Sequence, residues 1–435
     1  MAGIMRRMKI LILGATGFIG SEVIRSLHGK GHTVTGLARI IARAKDKWPF
    51  ASWVPADLSR MTSAADWAAL VSDHDAIVNC AGALQDGLSD DLAATQEKAM
   101  LALYRAAVNA GGKLVIQISA RTSGAASQLP FLATKRRADI ALAASGLRFV
   151  ILRPALVVGR NAHGGTALVR ALASFPFAVP LVNGNMPVQT VAVEDVALAV
   201  SAAIDGEIPS GSDIELAANE TLTLQGVVAA HRQWLGLAPA PALNLPAAFM
   251  RPVALTADIA GKLGWRSPLR STAMTVMSEG IVTENSAPKA TTSLKSLRDT
   301  LAAYPSGVQD LWFARSYLLK PVLILCLSLF WLLSGLVPLL DINSSAAHFL
   351  PFMPQVPAVT LTLASCLIDI ALGITVVIRP LARKALIAML LVTAAYLTGG
   401  SLLEPGLWLD PLGPLVKVLP SIALTLVTLA TLDER

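Results

Sequence analysis

Charged residues are scarce in this chain. Only 15% of its 435 residues are Asp, Glu, Lys or Arg, and 54% are hydrophobic, whereas about a quarter of the residues in soluble domains are charged. The deficit is uneven, because residues 316–435 contain six of the 36 Lys and Arg and six of the 29 Asp and Glu. The formal net charge of +7 therefore belongs to residues 1–315. This imbalance predicts a soluble part followed by a membrane part.

Cysteine and histidine are also rare. The three cysteines form no Cys-x-x-Cys pair and the six histidines are scattered, which argues against a disulfide framework or a metal site and favours a reducing compartment. The sequence pI is near 9.4, but no basic cluster alternates with aromatic residues. Nucleic acid is therefore not an expected partner. A basic domain beside an anionic membrane leaflet accounts for the charge.

Four long apolar runs occupy the last third of the chain: Leu318–Leu340, Val356–Ile378, Ala385–Leu403 and Leu412–Leu432. A run of about 20 apolar residues crosses a ~30 Å hydrocarbon core as a helix, so we expect a four-helix transmembrane bundle over residues 316–435. The fourth run is interrupted by Lys417 and Pro420. Arg379, Arg383 and Lys384 lie between the second and third runs, and Lys/Arg-rich loops stay cytoplasmic. The pattern predicts a multi-pass protein of the cytoplasmic membrane with its soluble domain on the cytoplasmic side.

One acid, Asp369, lies inside the second run. A carboxylate at that depth is costly and faces the bundle interior or a water-filled cavity. Two interpretations stay open at this point: a ligand or proton site, and a protonated or hydrogen-bonded structural acid.

Short apolar segments alternate with helical ones over the first 154 residues. Strands are predicted at "MKILILG", "TVTGLA", "SWVPAD", "DAIVNCAG", "KLVIQIS" and "RFVILRP". This alternation predicts an α/β fold with a doubly wound parallel sheet and right-handed crossovers. The pattern loosens after Pro154, so we expect a small substrate lobe over about 155–310. The whole predicted nucleotide-binding domain is 1–310.

The segment "GATGFIG" places glycines at Gly14, Gly17 and Gly20 between the first strand and a helix. In that context the first glycine permits a tight turn, the second a close approach of a pyrophosphate, and the third the packing of the helix on the strand. The helix N-terminus then stabilises the phosphate charge. The pattern predicts binding of a nicotinamide dinucleotide; a tight turn without a ligand is the alternative.

The second strand ends without the acid that an NAD site places about 20 residues after the glycines. No Asp or Glu occurs between Glu22 and Asp46, and the strand ends with Arg39. A guanidinium suits a 2′-phosphate, so NADP(H) is favoured over NAD(H). Asp57 is placed to bind the adenine amino group, or it caps a helix.

"GATGFIG", "PADL", "NCAG", "QIS", "LRPALVVG" and "VAVEDVA" occur in the order of the short-chain dehydrogenase/reductase superfamily. The chain resembles its atypical, extended branch over about residues 8–305, including the nucleotide-binding accessory subunit of respiratory complex I. The four apolar runs are similar to the DoxX-like membrane domain, a family linked to quinone-coupled redox systems. The resemblance implies these cofactor contacts: Gly14, Thr16, Gly17, Phe18, Ile19, Gly20, Arg39, Asp57, Leu58, Cys80, Ala81, Gly82, Lys135, Pro154 and Val157.

The family's reaction uses a serine, a tyrosine and a lysine, and the resemblance puts Ser119 and Lys135 at two of these positions. The tyrosine position is Phe131, which has no ionisable proton, and losing a positioned acid costs about a hundred- to ten-thousandfold in rate. Tyr104 is expected to pack in the core. His163 is a candidate proton donor from the substrate lobe, or a surface residue.

Three functions are compatible with these patterns. One is a nucleotide-binding or scaffold component of a membrane redox system, with quinone or a membrane redox complex as partner. Another is an oxidoreductase that acts on a lipophilic carbonyl or quinone-like acceptor. The third is a sugar-nucleotide epimerase or dehydratase, which the missing tyrosine disfavours as much as the second.

Overall fold

The computed structural model describes residues 7–82, 91–121, 125–283, 294–411 and 413–433. The chain divides into two compact units. The first comprises Met1–Asp258 and Ser267–Ala314, and the second comprises Ile259–Arg266 and Arg315–Arg435. Leu412, the first residue of the predicted fourth apolar run, lies outside the described residues.

The described part of the first unit contains thirteen strands. Their bounds are β1 (Lys9–Leu13), β2 (Thr33–Ala38), β3 (Ser52–Pro55), β4 (Ala76–Asn79), β5 (Leu114–Ile118), β6 (Arg148–Pro154), β7 (Leu156–Val158), β8 (Val179–Leu181), β9 (Pro187–Val188), β10 (Thr190–Ala192), β11 (Ser212–Leu216), β12 (Leu222–Thr223) and β13 (Ala242–Asn244). Seven of them form one parallel sheet in the order β11-β6-β5-β4-β1-β2-β3. The strand order reverses between β1 and β4. The predicted doubly wound parallel sheet is confirmed.

Helices connect these strands and extend beyond them. Their bounds are α1 (Phe18–Gly29), α2 (Ile41–Lys47), α3 (Ala64–Ser72), α4 (Ala99–Asn109), α5 (Pro130–Ala143), α6 (Gly165–Ala173), α7 (Val193–Asp205), α8 (Leu224–Trp234), α9 (Met250–Lys262), α10 (Ser271–Ser278), α11 (Leu297–Ala302) and α12 (Val308–Tyr317). A π-helical segment, Ala93–Lys98, precedes α4. The strands β7 to β10, β12 and β13 form three two-stranded sheets.

The first strand lies at the centre of the core. Ile10, Leu11, Ile12 and Leu13 are all fully buried. Successive side chains of a strand point to opposite faces, and here Ile10 and Ile12 pack with residues of α1 and α7, whereas Leu11 and Leu13 pack with residues of α3 and α4. Burial of each such side chain stabilises the fold by about 1.5–3 kcal/mol. The sheet is therefore covered by helices on both faces.

The second unit is helical and apolar. Its helices are α13 (Leu319–Leu339), α14 (Ile342–Ala346), α15 (Gln355–Thr375), α16 (Arg379–Leu403) and α17 (Leu419–Thr431). Among the described residues, α13, α15 and α16 are long and apolar enough to cross a membrane. The fourth apolar helix, α17, has only 13 residues, or about 20 Å at 1.5 Å per residue. It is shorter than the predicted run because a 3₁₀ turn, Val416–Val418, precedes it.

Glycines bring α13 and α15 close together. A Cβ on Gly335 of α13 would lie 2.5 Å from the Cys366 carbonyl oxygen, and one on Gly373 of α15 would lie 2.9 Å from the Leu332 nitrogen. Small residues at such contacts are typical of helix pairs in membranes, where close backbone packing replaces the hydrophobic effect.

Candidate functional site

The turn between β1 and α1 depends on its glycines. Gly14 has a φ of +67°, and a Cβ there would lie 2.8 Å from the Ala81 backbone; only glycine adopts this conformation without strain. The Gly17 N–H donates to the Gly14 carbonyl at 2.9 Å. A Cβ on Gly20 would collide with the same carbonyl. The first N–H groups of a helix lack intrahelical acceptors, so this α1 N-terminus, pressed against the turn, is suited to a phosphate.

The carboxyl ends of β4 and β5 lie beside this turn. The Asn79 side-chain amide donates to Gln117 Oε1 at 2.8 Å, and the Ala81 N–H donates to Asn79 Oδ1 at 2.9 Å. These bonds fix the start of the loop that carries Gly82, next to Gly14. Ligands of doubly wound sheets bind where the strand order reverses. The glycine turn and the loop after β4 occupy that point.

Two residues that follow β2 and β3 were predicted to bind the adenosine half of the cofactor. Arg39 is exposed and directly follows β2. The Asp57 carboxylate accepts the Ser59 N–H at 3.2 Å and the Ser59 hydroxyl at 2.8 Å, and it caps the 3₁₀ helix Leu58–Arg60. Asp57 is therefore a helix cap, as one of the two interpretations had it. Contact of Asp57 or Leu58 with adenine stays a prediction.

Lys135 is held inside the domain by α5. Its side chain is buried, with 7% exposure, and Nζ donates to the Ile118 carbonyl at 3.2 Å. A Cβ on Gly82 would lie 3.4 Å from Nζ, so a side chain at position 82 would crowd the ammonium. Lys135 is therefore not a solvated helix lysine, although it precedes two arginines in the sequence. The ammonium faces the loop after β4, at the carboxyl ends of the strands and beside the point where the strand order reverses.

An ionic network adjoins Lys135. The Ser119 hydroxyl donates to Asp139 Oδ2 at 2.5 Å, and Arg153 Nη1 lies 3.0 Å from the same oxygen. Arg153 also donates to the Ala120 carbonyl at 2.6 Å. It donates to both carboxylate oxygens of Asp213 as well, at 2.7 and 2.9 Å. A bidentate arginine–carboxylate pair is strong and directional. The network therefore joins β5, α5, β6 and β11 and fixes the orientation of Ser119.

Burial perturbs the charges of this network. Burial lowers the pKa of the Lys135 ammonium, and the Asp139 charge opposes that change. Burial raises the pKa of the Asp139 carboxyl, while Arg153 and the Ser119 hydroxyl limit the rise. Burial also raises the pKa of the Cys80 thiol to about 12. Cys80 is therefore an uncharged thiol near neutral pH and is not poised as a nucleophile.

The hydroxyl proton of Ser119 points into this network. Ser119 has a single O–H donor, and that donor is bonded to Asp139. Phe131 lies on α5 four residues before Lys135 and has no proton to give. Tyr104 is buried in the core, with its hydroxyl 3.4 Å from Gln117 Oε1; packing is its role, as predicted.

The remaining predicted residues lie near the carboxyl ends of the strands or in the glycine turn. His163 stacks on Phe18, with ring centroids 5.8 Å apart, so its loop reaches the start of α1. Pro154 ends β6, and Val157 pairs with Val191 in a separate two-stranded sheet. Thr16, Gly17 and Ile19 of the glycine turn all have exposed surface.

Asp369 is held by two other helices of the membrane-type unit. It is 4% exposed. Ser334 of α13 donates to its Oδ2 at 2.8 Å, and Tyr396 of α16 donates to its Oδ1 at 2.9 Å. Both carboxyl oxygens are therefore satisfied by interhelical hydrogen bonds, which supports the structural interpretation of this acid.

Asp139 and Asp213 were missed by the sequence reasoning. Asp139 lies four residues after Lys135, and residues spaced by four share one helix face, so this spacing was the available signal. Asp213 gave none, because its partner Arg153 lies on β6, 60 residues earlier.

Two family models match the chain. Residues 14–206 match an NAD(P)H-binding family, and residues 328–426 match the DoxX-like family. Among curated proteins, the uncharacterized proteins Rv2047c of Mycobacterium tuberculosis and Mb2073c of Mycobacterium bovis are each 30% identical to it over 227 residues. Each alignment covers 51% of this chain and 23% of the relative, so the chain spans less than a quarter of their length.

The chain is also similar to solved structures. The Bordetella bronchiseptica enzyme WbmH in complex with NAD+ is 18% identical, with a TM-score of 0.50 over 72% of this chain and 99% of that one. The UDP-glucuronic acid 4-epimerase of Bacillus cereus, in complex with UDP-glucuronic acid and NAD, is also 18% identical, with a TM-score of 0.48 over 71% of this chain and 100% of that one.

The first unit therefore contains an NAD(P)-binding domain with a Rossmann fold like that of short-chain dehydrogenases/reductases. The chain joins this domain to a C-terminal DoxX-like, membrane-type helical domain. It is a membrane-associated, NAD(P)-binding protein.

Proposed function

We propose that the protein is a nucleotide-binding component of a membrane redox system that holds NADP(H) without turning it over. Residues 1–310 are the nucleotide-binding domain, with a lobe from about 155 to 310, and residues 316–435 are the membrane domain. The pyrophosphate contacts the glycine turn, and the Lys135 ammonium contacts the nicotinamide ribose. The glycine turn between β1 and α1 and the Lys135 ammonium beside Gly82 fit such a ligand.

The orientation of Ser119 carries this proposal. The Ser119 hydroxyl has one proton and donates it to Asp139, with Oγ and Oδ2 2.5 Å apart. The hydroxyl can therefore accept but not donate a hydrogen bond toward a ligand. The aromatic ring at Phe131 has no proton to transfer, and Lys135 donates inward to the Ile118 carbonyl. Ser119 and Phe131 therefore supply no acid to a substrate oxygen, and the Lys135 ammonium is assigned to the ribose, which favours binding over catalysis.

The preference for NADP(H) rests on charge at the end of β2. Arg39 is exposed there, and no acid precedes it after Glu22 to bind the ribose hydroxyls. A guanidinium forms two parallel hydrogen bonds with a phosphate. We therefore assign Arg39 to the 2′-phosphate.

The membrane domain is proposed to cross the cytoplasmic membrane several times. Its basic residues Arg379, Arg383 and Lys384 would face the cytoplasm, together with the nucleotide-binding domain. A quinone or a membrane redox complex is the proposed partner.

Two alternatives remain. The membrane-type domain favours an oxidoreductase that reduces a lipophilic carbonyl or quinone-like acceptor, which requires hydride transfer to an acceptor that takes its proton from water. A sugar-nucleotide epimerase or dehydratase shares the extended fold, and a solved structure named as an epimerase resembles this chain, but such chemistry also needs the proton transfer that Phe131 cannot supply.

Titration of the full chain in detergent with NADPH and NADH, followed by addition of quinone and carbonyl acceptors, separates these functions. We expect NADPH to bind and to stay reduced. Steady oxidation by a quinone or carbonyl would establish the oxidoreductase instead, and the absence of binding would remove the nucleotide site altogether.

The assignment of Arg39 has its own test. Arg39→Asp should weaken NADPH binding by about ten- to a hundredfold, because a hydrogen bond to a charged group is worth about 1.5–3 kcal/mol, and should leave NADH binding close to wild type. Arg148→Asp is the matched control, since Arg148 is exposed at the amino end of β6, the opposite edge of the sheet. An equal effect of both substitutions would reduce Arg39 to a contributor of general positive charge.

A further inference from the structure

One end of the membrane-type unit gathers positive charge. The beginnings of α13 and α16 and the ends of α15 and α17 meet there, because Lys320 and Arg379 both reach the Leu432 carbonyl. Basic residues at this end are Arg266, Lys320, Arg379, Arg383 and Lys384, and the described acid is Asp433. Asp433 is bonded to Arg383 at 2.7 and 2.8 Å.

The opposite end has the reverse charge. Asp341 follows α13, Glu404 follows α16, and Asp410 lies before α17, whereas Lys417 is the basic residue there among the described residues. An anion approaching the unit would therefore be attracted to the first end and repelled from the second.

Trp265 lies at the centre of the basic end. Its indole Nε1–H donates to the Val377 carbonyl at 2.6 Å, between α15 and α16. The Arg379 Cζ is 5.3 Å from the centre of the indole, and the Lys320 Nζ is 5.8 Å from it. The Arg379 N–H also donates to the Leu263 carbonyl at 2.9 Å, which fixes the segment before Trp265 against the start of α16.

Both cations reach the same backbone carbonyl. Lys320 Nζ lies 3.3 Å and Arg379 Nη2 3.0 Å from the Leu432 carbonyl oxygen. Two cations held at one oxygen attract an anionic oxygen group that approaches them. Both side chains are half-buried, so they are fixed by the protein and still reachable from outside. Trp265, Lys320, Arg379 and the Leu432 carbonyl are called the Trp265 cluster below.

We propose that the Trp265 cluster binds the phosphodiester headgroup of an anionic membrane phospholipid. The cluster lies at the ends of apolar helices of spanning length, where headgroups are found in a bilayer. Indoles concentrate at this level, and basic pockets between membrane helices select anionic headgroups. The acyl chains would lie along the exposed apolar surface of α13 and α16, which includes Val322 and Ile387. This site is independent of the nucleotide site.

Native mass spectrometry of the delipidated full chain, with equimolar phosphatidylglycerol and phosphatidylcholine of the same acyl chains, tests the site. We expect phosphatidylglycerol to be retained about thirtyfold better, from about 1 kcal/mol for each of two basic residues. Lys320→Gln/Arg379→Gln should abolish this preference. Lys417→Gln at the opposite end is the matched control and should keep it. Equal retention of the two lipids by the wild type, or an equal loss in the control, would overturn the proposal.

Two further arms separate the source of the phosphate and guard against a variant that does not fold. Inorganic phosphate added in excess should not displace phosphatidylglycerol, because it lacks acyl chains; full displacement would make this a free-phosphate site and refute the lipid assignment. High salt should remove the preference of the wild-type protein, since the selectivity is electrostatic. A preference that survives high salt would contradict the role of the two cations without any variant being made.

Discussion

Replacing Asp139 by asparagine should change how NADPH binding depends on pH. Lys135 and Asp139 are four residues apart on α5, which places their Cβ atoms about 5–6 Å from each other. Opposite charges about 5–6 Å apart attract each other by about 3 kcal/mol at an effective dielectric constant of about 20, which sets the scale of the Asp139 effect on the Lys135 ammonium. Asparagine has nearly the same shape and still accepts from Ser119, so the change removes charge and little else.

The sign of the effect follows from the direction of the Lys135 pKa. Burial lowers the pKa of this ammonium, and Asp139 is the first charge that opposes the change. Without that carboxylate the pKa falls further. The ammonium is charged below its pKa and neutral above it, so its contribution to NADPH binding is complete at low pH and is lost as pH rises. In Asp139→Asn this loss should begin at a lower pH than in the wild type.

The assay is the NADPH dissociation constant measured by calorimetry or nucleotide fluorescence across a pH series. Asp213→Asn is the control, because Asp213 also pairs with Arg153 but is not among the charges that act on Lys135. Superimposable pH profiles for the wild type and Asp139→Asn would mean that the Asp139 charge does not act on Lys135 during binding. An equal displacement in Asp213→Asn would lead to the same conclusion.

Other predictions concern the missing acid, the glycine turn and the buried acid of the membrane unit. Phe131→Tyr should raise NADPH oxidation with carbonyl acceptors about a hundredfold or more over the wild-type background, measured by absorbance in single turnovers; no gain would mean that position 131 is not the acid position. Gly20→Ala should abolish nucleotide binding or folding, whereas Gly29→Ala, where a Cβ meets nothing within 4 Å, should be tolerated in the same titration and by circular dichroism. Asp369→Leu should destabilise the membrane unit by about 1–3 kcal/mol, the range for two interhelical hydrogen bonds, as measured by a thermal melt in detergent. NADPH affinity should stay unchanged, and a changed affinity would argue for a functional role of Asp369.

The sheet and the glycine turn were predictable because local patterns determine them. A short apolar strand stopped by Gly14 and followed by a helix has few structural alternatives, and alternating strands and helices impose a parallel sheet. The spacing of Gly14, Gly17 and Gly20 likewise reflects steric limits that act within seven residues.

The ionic network was not predictable because it depends on tertiary packing. Lys135 precedes Arg136 and Arg137 in the sequence, a pattern typical of a solvated helix face, yet α5 packs so that Lys135 and Asp139 face inward while both arginines stay exposed. The Asp213 partner of Arg153 is brought close only by the pairing of β11 with β6. The shortened α17 is a similar case, since hydropathy alone did not reveal the 3₁₀ turn before it.

We propose that this protein holds NADP(H) but does not transfer its hydride. The sharpest test is to incubate the full chain with NADPH deuterated at the reactive carbon, together with quinone and carbonyl acceptors, and to follow the label by mass spectrometry. We expect saturable binding with the deuterium retained on the nucleotide. Deuterium found on an acceptor, at a rate above that of free NADPH, would show that the protein transfers hydride.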